Sequence, residues 1–400
     1  MRRSTTLLTS AVAALFLAFT AAVPVASAAD GPKYVVPASS IERPEDIGVR
    51  AHTNILLVLD EHGRISRDAA PVNENPASLA CIYHLVKKTK GCPKTSSILP
   101  NGGTRAIALV DAFDNPNAAT DITTFASAYG YGSPNFTKVK VGNPPANSGW
   151  ALEESLDIEY AFGMAPNAQI ILVEANSNSF ADLEAAEDEA VSLLQAAGGG
   201  QASNSWGGGE FSGEKSHDKH FKGAGVVFFA SSGDAGGQVI YPSASPNVVS
   251  VGGTRIERDN KGNFTSEIGW NSGGGGPSQF ESRPSYQDVV KKVVGSHRGT
   301  PDISSQAAVV EIYSQYGCGG YCAVAGTSIS SPTLAGIVNA AGKFKSSTKS
   351  ELTAAYNEYA DATKYAADFT DITGGSNGYT CATGYEFCTG IGTPKTYKGK

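Results

Sequence analysis

Basic residues are in short supply in this 400-residue sequence, which has 31 Lys and Arg against 38 Asp and Glu and a net charge of −7. Proteins that bind nucleic acid or anionic membranes present basic surfaces, so this balance argues against both kinds of partner. Histidine is scarcer still, with six residues in the whole chain: His52, His62, His84, His217, His220 and His297. A hydrolytic site that depends on a histidine base therefore has few candidates.

Long apolar runs are absent after the first thirty residues. Within those thirty, Arg2 and Arg3 precede the run "LLTSAVAALFLAFTAAVPV", and "ASA" at 26–28 offers the small residues that a signal peptidase requires. This order predicts a signal peptide over residues 1–28, cleavage near Ala28 and secretion of a mature form without a membrane segment. A retained N-terminal anchor is the alternative.

Cysteine is limited to six residues, which fall into close pairs along the chain. In a secreted protein such residues favour disulfides, and we expect local pairing: Cys81 with Cys92, Cys318 with Cys322, and Cys381 with Cys388. A zinc site is the less favoured alternative because no pair has knuckle spacing.

From about Gly103 onward, short apolar runs alternate with Ala-rich stretches. The runs "RAIALVDAF", "QIILVEA", "GVVFFASSGD" and "NVVSVGG" predict strands, and helices are expected at 117–129, 151–163, 181–196 and 329–345. This alternation indicates an α/β domain with a mostly parallel central sheet covered by helices on both faces, hence three layers. We expect this domain to span residues 81–400 and to be a monomer. Residues 29–80, with a short hairpin strand within 54–65, are expected to form a short pro-segment or N-terminal extension.

Ser328 lies in "AVAGTSISSP", at a turn that precedes a small-residue helix. At a helix start, the serine hydroxyl feels the helix dipole and its backbone N–H can face a developing oxyanion. An ordinary helix-capping serine is the alternative. A nucleophilic role for Ser328 requires a base, and no histidine that follows Asp111, the acid at the end of "IALVD", lies in a suitable sequence context.

Carboxylates are better candidates for that base. In "GWALEESLDIEYAFGM", Glu153 and Asp157 are four residues apart, so they share one helical face and are expected within hydrogen-bonding reach. Two carboxyl groups held close together share a proton, and such a pair can accept a proton from Ser328 and return it to a leaving amine. Glu154 is a rival base, and a solvated acidic face is the non-catalytic alternative.

Asp234 follows an apolar strand in "VVFFASSGDAGG". A protonated Asp234 could donate a hydrogen bond to the oxyanion of a tetrahedral intermediate, whereas an ionised one would repel that oxyanion. This reading predicts activity at acidic pH and little at neutral pH. A local turn-stabilising role is the alternative.

Together these motifs resemble the sedolisin family of serine-carboxyl peptidases, which have a subtilisin-like fold. The resemblance runs from about Gly103 to Pro394 and includes "SWGGGE", "WNSGGGGPSQF" and "RGTPDIS" in the family's order. It implies the following roles: Ser328 as nucleophile, Glu153 as base rather than Glu154, Asp157 as its orienting partner, Asp234 at the oxyanion, Asp111 and Trp206 as supports of the triad, and Ser205, Trp206 and Gly207 beside the substrate. For Trp206, a simple core role is the alternative.

The resemblance also implies one structural calcium ion near the C-terminus. The matching residues are Asp371, Ile372, Ala382, Gly384 and Glu386. Here Ala382 replaces a glycine of the family pattern and Glu386 replaces an aspartate. Oxygen ligands of this kind suit Ca²⁺. A turn held by the Cys381–Cys388 disulfide without metal is the alternative.

The resemblance thus implies a secreted endopeptidase or aminopeptidase that acts on proteins or peptides in acid through an acyl-enzyme. Two other interpretations stay open from the sequence: a histidine-dependent subtilase-like hydrolase, and a non-catalytic secreted binding protein with the same fold.

Overall fold

The computed structural model describes residues 32–67 and 73–399, so the predicted signal peptide lies outside the described residues. Within these ranges the strands are β1 (Lys33–Val35), β2 (His52–Thr53), β3 (Leu56–Leu59), β4 (Ala106–Ala112), β5 (Asn135–Val141), β6 (Gln169–Ala175), β7 (Gly200–Asn204), β8 (Trp206–Gly209), β9 (Val226–Ser231), β10 (Ile240–Tyr241), β11 (Val249–Arg258), β12 (Phe264–Gly269), β13 (Gly276–Ser282), β14 (His297–Thr300), β15 (Ile303–Gln306), β16 (Val310–Ser314), β17 (Gly320–Ala325), β18 (Phe369–Thr370) and β19 (Thr393–Pro394). The α-helices are α1 (Pro76–Ile82), α2 (Ala118–Tyr129), α3 (Ser148–Met164), α4 (Phe180–Ala196), α5 (Lys291–Val294), α6 (Thr327–Ala341), α7 (Thr348–Ala360) and α8 (Ala362–Asp368).

The central sheet has the strand order β12-β11-β9-β7-β4-β6-β5, with β15 also paired to β11. Every pairing in it is parallel except that of β11 with β12, which is antiparallel. The expected mostly parallel sheet is therefore confirmed. In such a sheet the carboxyl ends of the strands form the edge where ligands bind.

Helices cover both faces of this sheet, because alternate residues of its strands are apolar on each side. Ile107 and Leu109 of β4 pack in one hydrophobic cluster with residues of α3 and α6. Ala108 and Val110 pack in a second cluster with α4. Burying a large aliphatic side chain contributes about 1.5–3 kcal/mol, so the two clusters hold the three layers together. The four expected helices are confirmed as α2, α3, α4 and α6, with ends shifted by a few residues.

The N-terminal extension packs on the domain through strand pairing. β3 pairs with β17 and β2 pairs with β8, both antiparallel. The expected hairpin strand is present as β3, which is bridged to the returning chain at Leu59 and Ile65.

The three expected disulfides are confirmed: Cys81–Cys92, Cys318–Cys322 and Cys381–Cys388. Across residues 32–67 and 73–399, none of the helices combines the length and apolar character needed to cross a bilayer.

Candidate active site

Ser328 is fixed at the start of α6, directly after β17 and the turn at Gly326. The side chain is fully buried, and its hydroxyl donates to the carbonyl oxygen of Ser205 at 3.2 Å. Pro332, one turn further along α6, has no N–H to bond the Ser328 carbonyl. The Ser205 hydroxyl lies 3.4 Å from that carbonyl oxygen, but its shorter contact, at 2.7 Å, is to Asp157 Oδ1. The start of α6 is thus close to Ser205, the residue that follows β7.

Helix α3 carries the candidate base and is buried on all sides. Asn147 caps its N-terminus by accepting the N–H groups of Gly149 and Trp150. Glu153 and Asp157 are both 0% exposed, so the alternative of a solvated acidic face is wrong. α3 packs against α6, which brings Glu153 towards Ser328.

Both oxygens of Glu153 and Oδ2 of Asp157 accept no hydrogen bond from a donor among the described residues. The charge of Glu153 acts on Asp157, and direct sharing of a proton between the two carboxyl groups stays a prediction. Asp157 Oδ1 accepts the Ser205 hydroxyl at 2.7 Å. Ser205 consequently contacts both Asp157 and Ser328.

Burial raises the pKa of Glu153 well above its ordinary value. The charge of Asp111 adds to this rise, whereas the nearby Ser328 hydroxyl opposes it. Burial also raises the pKa of Asp157, to which the charges of Asp111 and Glu153 contribute. The three carboxyl groups therefore share protons at pH values where ordinary carboxyl groups are already ionised, because charging all of them in one buried site is unfavourable.

Asp111 lies at the end of β4 and is fully buried behind this pair. Burial, together with the charge of Glu174, raises its pKa to about 8. Glu154 is buried as well, but its charged neighbours are Glu174, Asp111, Lys138 and Asp114. The structure therefore brings Asp111 close to Glu153 and Asp157, and directs Glu154 towards the Lys138 side of the helix.

Asp234 lies on the opposite side of Ser328, in the turn after β9. Its Oδ1 accepts the Thr327 N–H at 2.8 Å and the Thr327 hydroxyl at 2.9 Å. Its Oδ2 has no hydrogen-bond partner among the described residues. Burial raises the pKa of Asp234 to about 8, although the two Thr327 donors lower it. Asp234 is therefore protonated in acid, and its Oδ2, which has no hydrogen-bond partner among the described residues, can donate that proton.

Trp206 and Gly207 follow Ser205 and lie in β8. Of these three residues, Gly207 lines a cavity of about 570 Å³, which Asp234 also lines. The Trp206 indole N–H donates to the Val110 carbonyl at 2.8 Å, next to Asp111 on β4. Trp206 is 0% exposed and joins the α4-side hydrophobic cluster. Trp206 therefore holds β8 against β4. Its contact with the site is indirect, through the backbone of β4 next to Asp111.

Two residues of the site were not expected from the sequence. Thr327 positions Asp234, and Asn54 places its carbonyl oxygen 3.4 Å from the Ser328 nitrogen. A threonine before the serine is a usable signal in retrospect, since its hydroxyl also accepts the Gly233 N–H. Nothing in the local sequence around Asn54 signals its position.

One histidine lies near the site: His52 lines the same cavity as Asp234, where it lies 3.5 Å from Asp46. His217 and His220 pair with Glu184 on α4. The Ser328 hydroxyl donates to a carbonyl and, among the described residues, has no hydrogen bond to a histidine. The candidate bases at Ser328 are accordingly carboxyl groups.

The residues expected at the calcium site lie together in the C-terminal loops. Both oxygens of Asp371 lie 3.1 Å from the Gly384 nitrogen, whose N–H they accept. Glu386 accepts the N–H of Thr389, and burial with the Asp371 charge raises its pKa to about 7. Cys381 and Cys388 beside Glu386 form a disulfide and so offer no thiolate to a softer metal. Two neighbouring carboxylates with backbone carbonyls form an oxygen donor set that fits Ca²⁺.

Comparisons with known proteins agree with this geometry. A family model described as the subtilase family matches residues 137–374. Sedolisin from Pseudomonas sp. (strain 101) is 26% identical over an alignment of 365 residues that covers 80% of this chain and 59% of that protein. Kumamolisin from Bacillus sp. (strain MN-32) is 26% identical over 374 residues, covering 82% of this chain and 63% of that protein. The chain thus spans about three fifths of the length of these curated relatives.

Among solved structures, the Pseudomonas sedolisin, a serine-carboxyl proteinase complexed with two molecules of pseudo-iodotyrostatin, superposes with a TM-score of 0.68 at 25% identity. The match covers 82% of this chain and 96% of that structure. Sphericase, at 19% identity and a TM-score of 0.53, shares the fold alone. The fold is thus the expected subtilisin-like three-layer arrangement. The chain belongs to the subtilase family and, within it, to the sedolisin family.

Proposed function

We propose that this protein is a serine-type endopeptidase that hydrolyses peptide bonds in proteins at acidic pH through a Ser-Glu-Asp triad. The proposal depends on one observation: Ser328, Glu153 and Asp157 are buried together beside a partly buried Asp234, whose Oδ2 has no hydrogen-bond partner among the described residues. The relation to a structure described as a serine-carboxyl proteinase supports the same assignment.

In the proposed reaction, Glu153 takes the proton of the Ser328 hydroxyl as its oxygen attacks the scissile carbonyl. Asp157, held by the Ser205 hydroxyl, orients Glu153 and shares its proton. Glu153 then protonates the leaving amine, and water hydrolyses the acyl-enzyme by the same path in reverse.

Protonated Asp234 donates from Oδ2 to the oxyanion, because Oδ1 is already bound to Thr327. The Ser328 N–H provides the second donor at the start of α6. Ionisation of Asp234 removes the first donor and adds a repelling charge, so activity falls as the pH is raised. Internal cleavage is proposed because β8 already pairs with an extended internal segment of the chain, β2, in the way that it would pair with an extended substrate.

The test is hydrolysis of denatured casein at about pH 4 by the wild type and by Ser328→Ala, with circular dichroism to verify that both are folded. We expect the variant to lose at least a thousandfold in rate. Equal rates for the two folded proteins would refute the peptidase assignment and favour a non-catalytic binding protein.

We also propose secretion after cleavage of residues 1–28, and one structural Ca²⁺ held by Asp371, Glu386 and the carbonyl groups of Ile372, Ala382 and Gly384. A bound cation neutralises the two neighbouring carboxylates and so stabilises the C-terminal loops. Removing calcium with EGTA at neutral pH is expected to lower the melting temperature, and adding Ca²⁺ but not Mg²⁺ is expected to restore it. An unchanged melting temperature would favour a turn held by the Cys381–Cys388 disulfide alone.

A further inference from the structure

Segment 210–222, which follows β8 and leads towards β9, carries two of the six histidines of the chain. The His220 N–H donates to the His217 carbonyl at 3.1 Å, so the two residues lie in one turn. Both side chains contact Glu184 of α4, His217 through Nδ1 and His220 through Nε2 at 3.3 Å. The segment is thus tied to α4 through one carboxyl group that two histidines share.

His220 uses both of its ring nitrogens. Besides the contact with Glu184, its Nδ1 lies 2.9 Å from Asp188 Oδ1, one helical turn further along α4. A neutral imidazole has a single N–H, so only the doubly protonated ring can donate to two carboxylates at once. Loss of one proton would leave a nitrogen lone pair facing a carboxylate oxygen. The geometry at His220 is therefore that of a charged imidazolium.

The charges around the two histidines come from three elements. α4 contributes Glu184 and Asp188, and β10 contributes Tyr241, whose ring centroid lies 6.3 Å from that of His217. Segment 210–222 itself contributes the ionisable residues Glu210, Glu214, Lys215, Asp218, Lys219 and Lys222. Asp218 accepts the hydroxyl groups of Tyr241, at 3.2 Å, and Ser245, at 2.6 Å. The partners of the histidines are therefore the two carboxylates of α4.

His217 also connects the segment to the cavity beside the candidate active site. Its ring centroid lies 5.4 Å from that of Phe211 and 6.3 Å from that of Tyr241. β10, which includes Tyr241, pairs antiparallel with β8, and its Ile240 lines the cavity that Asp234 also lines. Displacement of the histidine turn would therefore remove packing from the strands that border this cavity.

Glu214 adds a second contact that depends on a proton. It is fully buried, its Oε2 accepts the Phe211 N–H at 3.0 Å, and its Oε1 accepts no hydrogen bond from a donor in the part of the chain that the structure describes. Burial, together with the charges of Glu210 and Glu281, raises the pKa of Glu214 to about 8. Its ionisation at higher pH adds repulsion from these two neighbours. The segment is thus weakened from both sides as the pH rises.

We propose that the contacts of His217 and His220 with α4 form a pH-dependent latch, which holds segment 210–222 closed in acid and releases it as the pH rises towards neutrality. Histidine is the side chain whose charge changes in this range. The closed form binds more protons than the open form, so raising the pH favours opening.

The latch limits the working lifetime of the protein at neutral pH. A locally opened segment is open to digestion and aggregation, and both of these losses are irreversible. The opening itself is independent of the proposed function, whereas the loss of activity that follows from it rests on that function.

The opening is measured by hydrogen exchange and mass spectrometry on the full chain of Ser328→Ala at pH 5 and pH 7.5, with intrinsic exchange rates divided out. We expect peptides from segment 210–222 to lose about tenfold in protection at pH 7.5, while peptides from β4 and β6 keep theirs. Equal protection of the segment at the two pH values overturns the latch. Because this variant is used for its fold alone, the result does not depend on the peptidase assignment.

A matched pair of histidine variants in the same Ser328→Ala chain tests the assignment to His220. His220→Asn removes the charge and keeps one donor group, so we expect segment 210–222 to be open already at pH 5. His297→Asn changes an exposed histidine at the start of β14 and is expected to match the parent at both pH values. Circular dichroism verifies that both variants are folded. A segment that is equally protected at pH 5 in the two variants contradicts the role of His220.

The lifetime is measured by holding the active protein at pH 5 or pH 7.5 and assaying casein hydrolysis at pH 4 after increasing times. We expect the wild type to lose activity faster at pH 7.5, and His220→Asn to lose it at pH 5 about five times faster than His297→Asn, because loss follows the open fraction. Equal lifetimes of the two variants refute the limit on lifetime and leave the peptidase assignment standing. No hydrolysis by fresh, folded wild type refutes the peptidase assignment and the limit on lifetime with it, and hydrogen exchange then decides the latch alone.

Discussion

At the scale of single residues, the structure separates two adjacent glutamates that the sequence presents as equals. Glu153 and Glu154 are both fully buried on α3, and both have a raised pKa. Burial and perturbed titration therefore do not identify the base. What distinguishes Glu153 is its neighbour, because the Ser328 hydroxyl acts on its carboxyl group while Glu154 faces Glu174 and Lys138.

This difference gives a matched test. Glu153→Gln removes the proton acceptor for Ser328, and we expect kcat on a peptide substrate to fall at least a thousandfold. Glu154→Gln removes a buried carboxyl of the same size one residue along and is expected to keep kcat within about fivefold. Steady-state kinetics at pH 4 on the two purified variants measures both. A larger loss in Glu154→Gln would reassign the base.

At the scale of secondary-structure elements, the turn before α6 is the most constrained part of the site. Gly326 has φ of +147°, and a Cβ there would lie 2.1 Å from the Asn54 carbonyl oxygen and 2.8 Å from Asp234 Oδ2. Only glycine fits both this backbone conformation and this space. The turn therefore keeps open the region that the oxyanion needs.

Substitution of the two glycines that flank α6 tests this constraint. Gly326→Ala is expected to abolish peptidase activity, because the methyl group occupies the oxyanion region. Gly342→Ala, at the C-terminus of α6, has φ of +67° and no atom within 4 Å of the added Cβ. It is expected to lower stability by about 1 kcal/mol and to leave activity unchanged. Urea unfolding and peptide hydrolysis distinguish the two effects, and an active Gly326→Ala would contradict the role assigned to this turn.

The elements of the core were predictable from the sequence, whereas some contacts of the site were not. Apolar runs such as "QIILVEA" predict buried strands because both sheet faces need apolar side chains, and β6 is found there. The hydrogen bond of Ser205 to Asp157, and that of Ser328 to the Ser205 carbonyl, depend on how β7, α3 and α6 pack together, which local periodicity does not encode. The pairing of β2 with β8, which brings Asn54 next to Ser328, was missed for the same reason, since it joins residues about 150 positions apart.

At the scale of the whole molecule, the buried carboxyl groups couple folding to pH. Asp111 and Asp234 have pKa values raised to about 8 in the folded protein, from an ordinary value of 3.8. A carboxyl whose pKa is raised on folding stabilises the native state fully below its unfolded pKa, and this contribution is lost as the pH rises through the folded pKa. Asp111 and Asp234 therefore contribute most to the stability of the folded protein in acid.

We accordingly expect the melting temperature to fall as the pH is raised from about 4 to 8. Ser328→Ala is the form to use, because it does not digest itself during the scan. Differential scanning calorimetry at several pH values and constant ionic strength measures the trend. A melting temperature that rises across this range would show that these carboxyl groups are ionised in the folded protein.

The central claim is that carboxyl groups, rather than a histidine, activate Ser328 and stabilise the oxyanion. The most direct measurement is the pH dependence of kcat/KM on a peptide substrate, from pH 3 to 9, for the wild type and Asp234→Asn. The account predicts highest activity in acid, a decline as the pH is raised towards 8 in the wild type, and loss of that decline in Asp234→Asn, whose amide donates at every pH. Activity that instead rises between pH 5 and 8 to a plateau, as a histidine base produces, would contradict the account.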